Sequence, residues 1–251
     1  MDNIHIITYA THDEGNFKNL INNKFNINVK VLGWGKKWNG FMDKLKNMYE
    51  YISTLPDNDI VLFIDGFDTT INNSLENIKQ KFVDFNSNIV LSEDIYLPFS
   101  KKTFGTCKKK LIANAGLYAG YNKKLQDLIN YILSENYSED DQRNMNHACL
   151  HFKKWIKIDT EKTLFHNQGH YERYFNNKSN SCFISTPGKL SYNRIKRVPG
   201  EYFHFVWKEL LLILLILLIL IVLYYCVKYK GKYNIFKTPF KKGLRSSVYK
   251  K

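Results

Sequence analysis

The sequence predicts an α/β fold in which a mostly parallel sheet is flanked by helices, followed by one membrane-spanning helix. Short apolar segments of strand length alternate with segments whose apolar residues recur at helical spacing. A separate run of 18 residues, 210–227, contains no charged residue and has no polar face. With 251 residues, 44% of them hydrophobic, the chain is long enough for one domain and an appendage.

Four strands are predicted from runs rich in β-branched and aromatic residues, at 4–9, 27–32, 60–64 and 88–91. Three amphipathic helices are predicted from apolar residues that fall on one helical face. Their apolar positions are Phe41, Leu45, Met48, Tyr49 and Ile52, then Leu75, Ile78 and Phe82, then Leu125, Leu128, Ile129, Ile132 and Leu133. We expect Asn122 to cap the third helix and 176–180 to form a surface loop.

The chain is predicted to have three parts: a domain at 1–208, a transmembrane helix at 209–227 and a basic tail at 228–251. Trp207 lies just before the apolar run and Tyr224 lies near its far end, as is typical of membrane interfaces. The tail holds nine Lys or Arg and no acidic residue, so it carries nine of the fourteen net positive charges. Basic charge beside a span indicates anionic lipid headgroups as the partner, rather than nucleic acid.

Two features predict opposite membrane orientations, and the leading prediction is a cytosolic domain, with the endomembrane lumen as the alternative. The amino terminus lacks the basic region and long apolar core of a secretory signal, which favours a tail-anchored protein whose large domain is cytosolic. Nine basic residues follow the span, against four in the twenty residues before it, which favours a domain in an endomembrane lumen. The four cysteines have no metal-ligand spacing and do not decide between the two.

The strand at 60–64 leads directly into Asp65-Gly66-Phe67-Asp68. Carboxylates and phosphates are the ligands that Mg²⁺ and Mn²⁺ prefer, and such a cation stabilises a departing diphosphate. The carboxyl ends of strands are also where open α/β sheets bind their ligands. The sequence therefore predicts a metal site here, with an ordinary turn as the alternative.

Five segments occur in a consistent order along the chain. They are Ile7-Thr8-Tyr9-Ala10-Thr11, Val29-Lys30-Val31-Leu32-Gly33-Trp34-Gly35-Lys36-Lys37-Trp38-Asn39-Gly40, the acidic motif, Ile112-Ala113-Asn114-Ala115-Gly116-Leu117-Tyr118-Ala119-Gly120-Tyr121, and Asp140-Asp141-Gln142. Together they resemble the glycosyltransferase domain of the lysyl hydroxylase and procollagen glycosyltransferase family. The resemblance covers roughly residues 3–208 and does not include the family's hydroxylase domain.

This resemblance implies a GT-A-like fold and a metal-dependent hexosyltransferase. The enzyme would use Mn²⁺ or Mg²⁺ to move glucose or galactose from a UDP-sugar to a protein or glycan acceptor. Hydroxylysine or galactosyl-hydroxylysine of a collagen-like protein is the acceptor that the family implies. Because the sequence continues into a membrane anchor instead of an iron-dependent hydroxylase, we expect another enzyme to supply any hydroxylysine, or the acceptor to differ.

The resemblance also implies roles for individual residues. The metal ligands are Asp65, Asp68 and His204, and the residues near the donor are Thr11, Trp38, Asp65 and Lys208. The catalytic residues at the sugar or acceptor are Asn114, Asp140 and Asp141. The family's small residues after the late histidine are replaced here by Phe205 and Val206, so His166 and His170 remain substitutes for His204.

Each role has a structural alternative. Ser138 and Asp141 have the spacing of a helix capping box, and Trp34 and Trp38 could be loop aromatics packed on the core. Asn114 and Gly116 could be turn residues, and a histidine between aromatics is often a packed residue. For the whole chain, the alternative is a catalytically degenerate, membrane-anchored protein that binds a sugar nucleotide or has a structural role.

Overall fold

The structure, a computed structural model, describes residues 3–95, 100–168, 179–187 and 210–229. The chain divides into two compact units, Met1–Tyr202 and Phe203–Lys251. Three predicted site residues, His170, His204 and Lys208, lie outside the described residues, as do positions 230–251 of the basic tail and positions 176–178 of the predicted loop.

The first unit alternates strands and helices along the chain. Its strands are β1 (Ile4–Tyr9), β2 (Val29–Leu32), β3 (Ile60–Ile64), β4 (Thr69–Ile71), β5 (Ile89–Glu93), β6 (Ala113–Tyr121), β7 (Ile156–Asp159), β8 (Phe165–Asn167) and β9 (Phe183–Ser185). Its helices are α1 (Phe17–Ile21), α2 (Met42–Ile52), α3 (Leu75–Asp84), α4 (Ser100–Phe104), α5 (Asn122–Glu135) and α6 (Asp141–His151), with a 3-10 turn at Lys108–Lys110.

The central sheet has six strands in the order β2-β1-β3-β6-β5-β7. The pairs β1–β2, β1–β3 and β5–β7 are parallel, whereas β6 is antiparallel to both β3 and β5. A second sheet has three strands in the order β4-β9-β8. The predicted α/β architecture is confirmed, and the main sheet is mixed because β6 runs against both of its neighbours.

The two faces of the central sheet are covered by different elements. Val61 and Phe63 of β3 pack into a core with α2, α5 and α6, whereas Ile60, Leu62 and Ile64 pack into a second core with α1, α3 and the small sheet. All five residues of β3 are buried. This two-sided burial explains why the strand is a continuous apolar run and does not alternate with polar residues.

Asn122 does not cap α5, so that prediction is wrong. The helix begins at Asn122, and the N-cap position is Tyr121. The Asn122 amide instead donates to the carbonyl oxygens of Ile52 (2.9 Å), Leu55 (2.9 Å) and Pro56 (3.1 Å) at the end of α2. Ile52 O and Pro56 O also accept from the backbone N of Leu55 (3.1 Å) and of Asp59 (3.1 Å), so the Asn122 amide joins the turn after α2 to the first residue of α5.

A disulfide joins Cys107 to Cys149, with the two Cα atoms 5.3 Å apart. Cys107 precedes the 3-10 turn that leads to β6, and Cys149 lies in α6. The same two segments are joined by Asn146, which accepts from Ala113 N (2.8 Å) and donates to Ala113 O (3.0 Å). The start of β6 is therefore fixed to α6 by covalent and hydrogen bonds.

The described part of the second unit is one helix, α7 (Leu210–Tyr229). It is 20 residues long and is long and apolar enough to cross a membrane, by length and composition. This helix contains the apolar run at 210–227 on which the predicted span rests.

Candidate active site at the end of β3

The acidic turn, Asp65-Gly66-Phe67-Asp68, begins where β3 ends, at the edge of the sheet where the parallel strand β1 also ends. The Thr8 hydroxyl donates to Ile64 O (2.7 Å) and joins the two strand ends. A Cβ on Gly66 would lie 2.9 Å from the Thr8 hydroxyl oxygen. Glycine therefore lets the turn lie directly against β1.

The loop after β2 packs against the loop after β1. Thr11 O accepts from Gly35 N (2.9 Å), and the Thr11 hydroxyl is hydrogen-bonded to His12 Nδ1 (2.9 Å). The Trp38 ring lies 5.7 Å from that of Tyr9, but 41% of Trp38 remains exposed. Thr11 and Trp38 thus lie on neighbouring loops at one edge of the sheet, and the indole has a free surface on which a base could stack.

Asp65 lies in close contact with β6. Its backbone N donates to Gly116 O (2.8 Å), and its side chain is 38% exposed. A Cβ at Gly116 would lie 2.2 Å from Asp65 Oδ2, which is shorter than any real contact. Position 116 therefore requires glycine, because any side chain there would displace the Asp65 carboxylate.

Lys44 of α2 joins Asp65 to the start of α6. Its ammonium lies 2.6 Å from Asp141 Oδ2 and 3.6 Å from Asp65 Oδ1. The Lys44 and Asp141 side chains are only 12% and 8% exposed. Burial alone would lower the pKa of Lys44, but the charges of Asp141 and Asp65 raise it above its ordinary value, so the ammonium stays protonated. Sequence reasoning missed Lys44, because nothing local to α2 indicates these distant partners.

Tyr118 of β6 lies close enough to Lys44, Asp141 and Asp65 to interact with their charges. Its ring stacks on Phe63 at a centroid distance of 5.1 Å, and its buried hydroxyl has no hydrogen-bond partner among the described residues. Burial raises the pKa of Tyr118, and the charges of Asp141 and Asp65 raise it further while Lys44 lowers it. The phenol is therefore a neutral group next to the buried ion pair.

Asp94, which follows β5, receives hydrogen bonds from three amide side chains. Its Oδ1 accepts from Asn114 (3.2 Å) and Asn167 (2.7 Å), and its Oδ2 accepts from Gln142 (2.8 Å). Burial raises the pKa of Asp94, although the amide hydrogen bonds oppose that effect. Sequence reasoning also missed this residue, which lies at a strand end as Asp65 does.

The two carboxylates of the later acidic pair have different contacts. Asp140 is the N-cap of α6, and its Oδ1 accepts from Arg143 N (2.8 Å). Ser138 is not the cap but accepts from Asp140 N through its hydroxyl (3.1 Å). Asp141 begins the helix and binds Lys44. Burial and the charge of Asp141 raise the pKa of Asp140.

Asp68, the second predicted metal ligand, contacts the small sheet. Its Oδ1 accepts from the Ser185 hydroxyl (2.9 Å), and its carbonyl oxygen accepts from Thr186 N (2.9 Å). In the part of the chain that the structure describes, no group of three His, Cys, Asp or Glu residues could hold a metal ion. Asp65 and Asp68 nevertheless share one turn and offer the hard oxygen ligands that Mg²⁺ and Mn²⁺ prefer.

His166, a predicted substitute ligand, is a buried residue of β8. It lines a cavity of about 300 Å³ together with Lys81, Thr163 and Asn180, among others. Among the predicted site residues that the structure describes, no other lines this cavity.

Comparison with known proteins decides what kind of domain surrounds this site. The sequence matches the family described as "PLOD GT domain" over residues 1–181. The chain belongs to this family of glycosyltransferase domains. The resemblance inferred from the five ordered segments is thereby confirmed.

Two curated proteins are similar to this PLOD GT domain. A Caenorhabditis elegans protein, "Multifunctional procollagen lysine hydroxylase and glycosyltransferase", is 25% identical over 159 residues, which cover 55% of this chain and 21% of that protein. A Mus musculus protein, "Procollagen-lysine,2-oxoglutarate 5-dioxygenase 2", is 28% identical over 159 residues, with 56% and 21% covered. The match thus spans about a fifth of the length of these relatives.

A solved structure shares the fold of this PLOD GT domain. It is a glycosyltransferase involved in the glycosylation of the major capsid of PBCV-1, with a TM-score of 0.52 and 11% identity. The likeness covers 80% of this chain and 99% of that one. The predicted GT-A-like fold is confirmed.

Within the PLOD GT domain, the structure brings part of the predicted site together. Asp65, Asn114 and Asp141 are linked by direct contacts or through Gly116 and Lys44. Thr11 and Trp38 lie on the neighbouring loops. The Asp68 carboxylate accepts a hydrogen bond from the Ser185 hydroxyl, and the Asp140 carboxylate accepts one from Arg143 N. Trp34, for which packing on the core was one alternative, stacks on Phe17 with the ring centroids 5.0 Å apart.

Proposed function

We propose that this chain is a metal-dependent hexosyltransferase. It moves glucose or galactose from a UDP-sugar to an acceptor, with hydroxylysine or galactosyl-hydroxylysine of a collagen-like protein as the acceptor class. The observation that carries the proposal is the convergence of Asp65, Lys44 and Asp141 at the end of β3, beside a glycine that leaves room for a carboxylate. The family match and the fold support the reaction class.

Asp65 and Asp68 would hold Mn²⁺ or Mg²⁺, with His204 as the third ligand. Asp65 suits this role because its side chain is partly exposed and the Lys44 ammonium lies at the long distance of 3.6 Å from it. When bound, such an ion neutralises the charge of the departing diphosphate.

The chain's own residues would bind and orient the donor. Thr11 and Trp38 would contact the nucleotide, and Lys208 would bind phosphate. Asn114 and Asp141 would face the sugar or the acceptor, and the protonated Lys44 keeps the Asp141 carboxylate in place. Asp140, the N-cap of α6, is the other candidate of the acidic pair for this role.

The helix α7 would anchor the protein to a membrane as a single span, with the basic tail on anionic lipid. Of the two orientations that the sequence leaves open, the Cys107–Cys149 disulfide favours a domain in an oxidising lumen over a cytosolic one. We therefore propose the lumenal orientation.

The proposal is tested by UDP release from the full-length protein in detergent, with UDP-glucose and UDP-galactose compared and a hydroxylysine peptide as acceptor. We expect release that requires Mn²⁺ and is lost when Asp65→Ala and Asp68→Ala are combined. Asp127→Ala is the matched control, because the described contact of Asp127 is an ion pair with Lys123 (3.2 Å) on α5.

Two results would count against the enzyme. UDP-sugar binding without turnover, by a folded protein, would identify a degenerate binding protein. Equal activity in the double variant and in Asp127→Ala would exclude the acidic turn as the metal site.

A further inference from the structure

Asp94 connects side chains from three elements, β6, α6 and β8. Its carboxylate accepts from Asn114 of β6, Gln142 of α6 and Asn167 of β8, at 2.7–3.2 Å. A carboxylate can only accept hydrogen bonds, so each amide must present its nitrogen to Asp94 and its oxygen elsewhere. One half-buried side chain therefore sets the orientation of three others.

Two of these amides belong to chains of contacts that reach Asp65. In the first chain, Asn114 Oδ1 accepts from Gly116 N (2.8 Å), and Gly116 O accepts from Asp65 N (2.8 Å). In the second chain, Gln142 follows Asp141, whose carboxylate binds Lys44, and Lys44 contacts Asp65. Asp94 and Asp65 are thus opposite members of a closed ring of contacts.

The third amide is incompletely satisfied. Asn167 donates to Asp94, but its Oδ1 is buried and has no hydrogen-bond partner among the described residues. Buried acceptors in folded proteins almost always have a partner, which can be a ligand or water. A hydroxyl group is the donor that such an acceptor fits, and a hexose is rich in hydroxyl groups.

We infer that Asp94 is a positioning residue for the hexose of the donor, acting through Asn114, Gln142 and Asn167. The inference rests on the proposed function, and it concerns the sugar and not the nucleotide. The amides that Asp94 orients extend from Asn114, beside Asp65, to the start of α6, whereas Thr11 and Trp38 lie on the loops after β1 and β2. Losing Asp94 should therefore weaken recognition of the hexose and leave recognition of UDP intact.

The test compares the dissociation constants of UDP and of UDP-hexose for full-length Asp94→Asn protein in detergent with Mn²⁺. If the new amide keeps its oxygen towards Asn114 and Asn167, its NH₂ faces the NH₂ of Gln142, and that side chain must turn round. We expect the affinity for UDP-hexose to fall about tenfold or more, with UDP affinity changed by less than about twofold. The change in kcat/KM should follow the loss of UDP-hexose affinity.

Asp159→Asn is the matched control. Asp159 of β7 is likewise a carboxylate that accepts from several donors, and it is buried, but its donors are the backbone N–H groups of Thr163, Leu164 and Phe165 at 2.7–3.0 Å. Both substitutions should lower the urea midpoint of unfolding. Only Asp94→Asn should change the ratio of UDP-hexose affinity to UDP affinity, because a merely structural defect does not alter that ratio.

Gln142→Met provides a second variant that leaves the Asp94 carboxylate in place, and it should change the same ratio in the same direction. The inference is overturned if Asp94→Asn and Gln142→Met both keep the wild-type ratio, or if they weaken UDP and UDP-hexose equally. Wild-type protein that binds neither UDP nor UDP-hexose would instead refute the proposed function, and the inference with it.

Discussion

Reduction of the Cys107–Cys149 disulfide should substantially destabilise the domain. The two cysteines are 42 residues apart in sequence. In the chain-entropy description, a closed loop of that size restricts the unfolded chain by about 4 kcal/mol at 25 °C. Since domains are typically stable by about 5–15 kcal/mol, this is a large part of the total.

The assay is urea unfolding of the full-length protein in detergent, followed by tryptophan fluorescence, with and without a phosphine reductant. We expect the unfolding midpoint to fall on reduction, with the free energy of unfolding lower by about 4 kcal/mol. The Cys107→Ala/Cys149→Ala variant is the control for reduction of the other cysteines, and its midpoint should not respond to reductant.

The reasoning is refuted if peptide mapping under non-reducing conditions finds Cys107 and Cys149 unlinked in protein isolated from its membrane. It is equally refuted if linked protein has the same midpoint before and after reduction. Hydrogen exchange adds a local test. Because the disulfide joins α6 to the segment before β6, reduction should increase exchange in α6 before it does so in β1 or β3.

Three further predictions concern single side chains. Lys44→Met leaves the Asp141 carboxylate buried without its counter-ion, so we expect the free energy of unfolding in urea to fall by about 3–5 kcal/mol. Adding Asp141→Leu should restore part of this stability. An unchanged unfolding midpoint would contradict the buried ion pair. Gly116→Ala forces its new Cβ against Asp65 Oδ2, and Mn²⁺ affinity measured by electron paramagnetic resonance should fall at least about tenfold; unchanged affinity would remove Asp65 from the metal site. For Asp59, burial alone would raise the pKa, but hydrogen bonds from His5 (2.8 Å) and Asn3 N (3.0 Å) lower it below its ordinary value. Wild type should therefore be more stable than Asp59→Asn in urea unfolding above the ordinary Asp pKa of about 3.9, and this difference should disappear as the pH falls through the lowered pKa. A stability difference that does not change with pH would contradict this.

The position of the acidic turn could be predicted because its signal is local. Five consecutive apolar residues in β3 are all buried, and the chain must leave the sheet where they end. The amphipathic helices α2, α3 and α5 were predictable for the same reason, since each packs one face on the sheet. These elements owe their form to residues within a single segment.

The elements that escaped prediction depend on distant residues. β6 is rich in alanine and glycine, which have low strand propensity, and it becomes a central strand only because β3 and β5 pair with it on both sides. Lys44 follows the same rule. On an amphipathic helix a lysine is expected to face solvent, and only the arrival of β3 and α6 places two carboxylates against it.

The charge at the site adds a constraint on how the donor would bind. Asp65, Asp94 and Asp141 lie in one ring of contacts, and Lys44 is the ammonium that contacts two of them. A diphosphate approaching these carboxylates is repelled unless positive charge accompanies it. We therefore expect UDP to bind much more weakly in the presence of a chelator than with Mn²⁺. Lys44→Met should increase this dependence on the cation, because it removes a positive charge and leaves the carboxylates unchanged. The opposite result, UDP binding that is independent of cations in wild type, would mean that another cation, such as Lys208, suffices for the diphosphate.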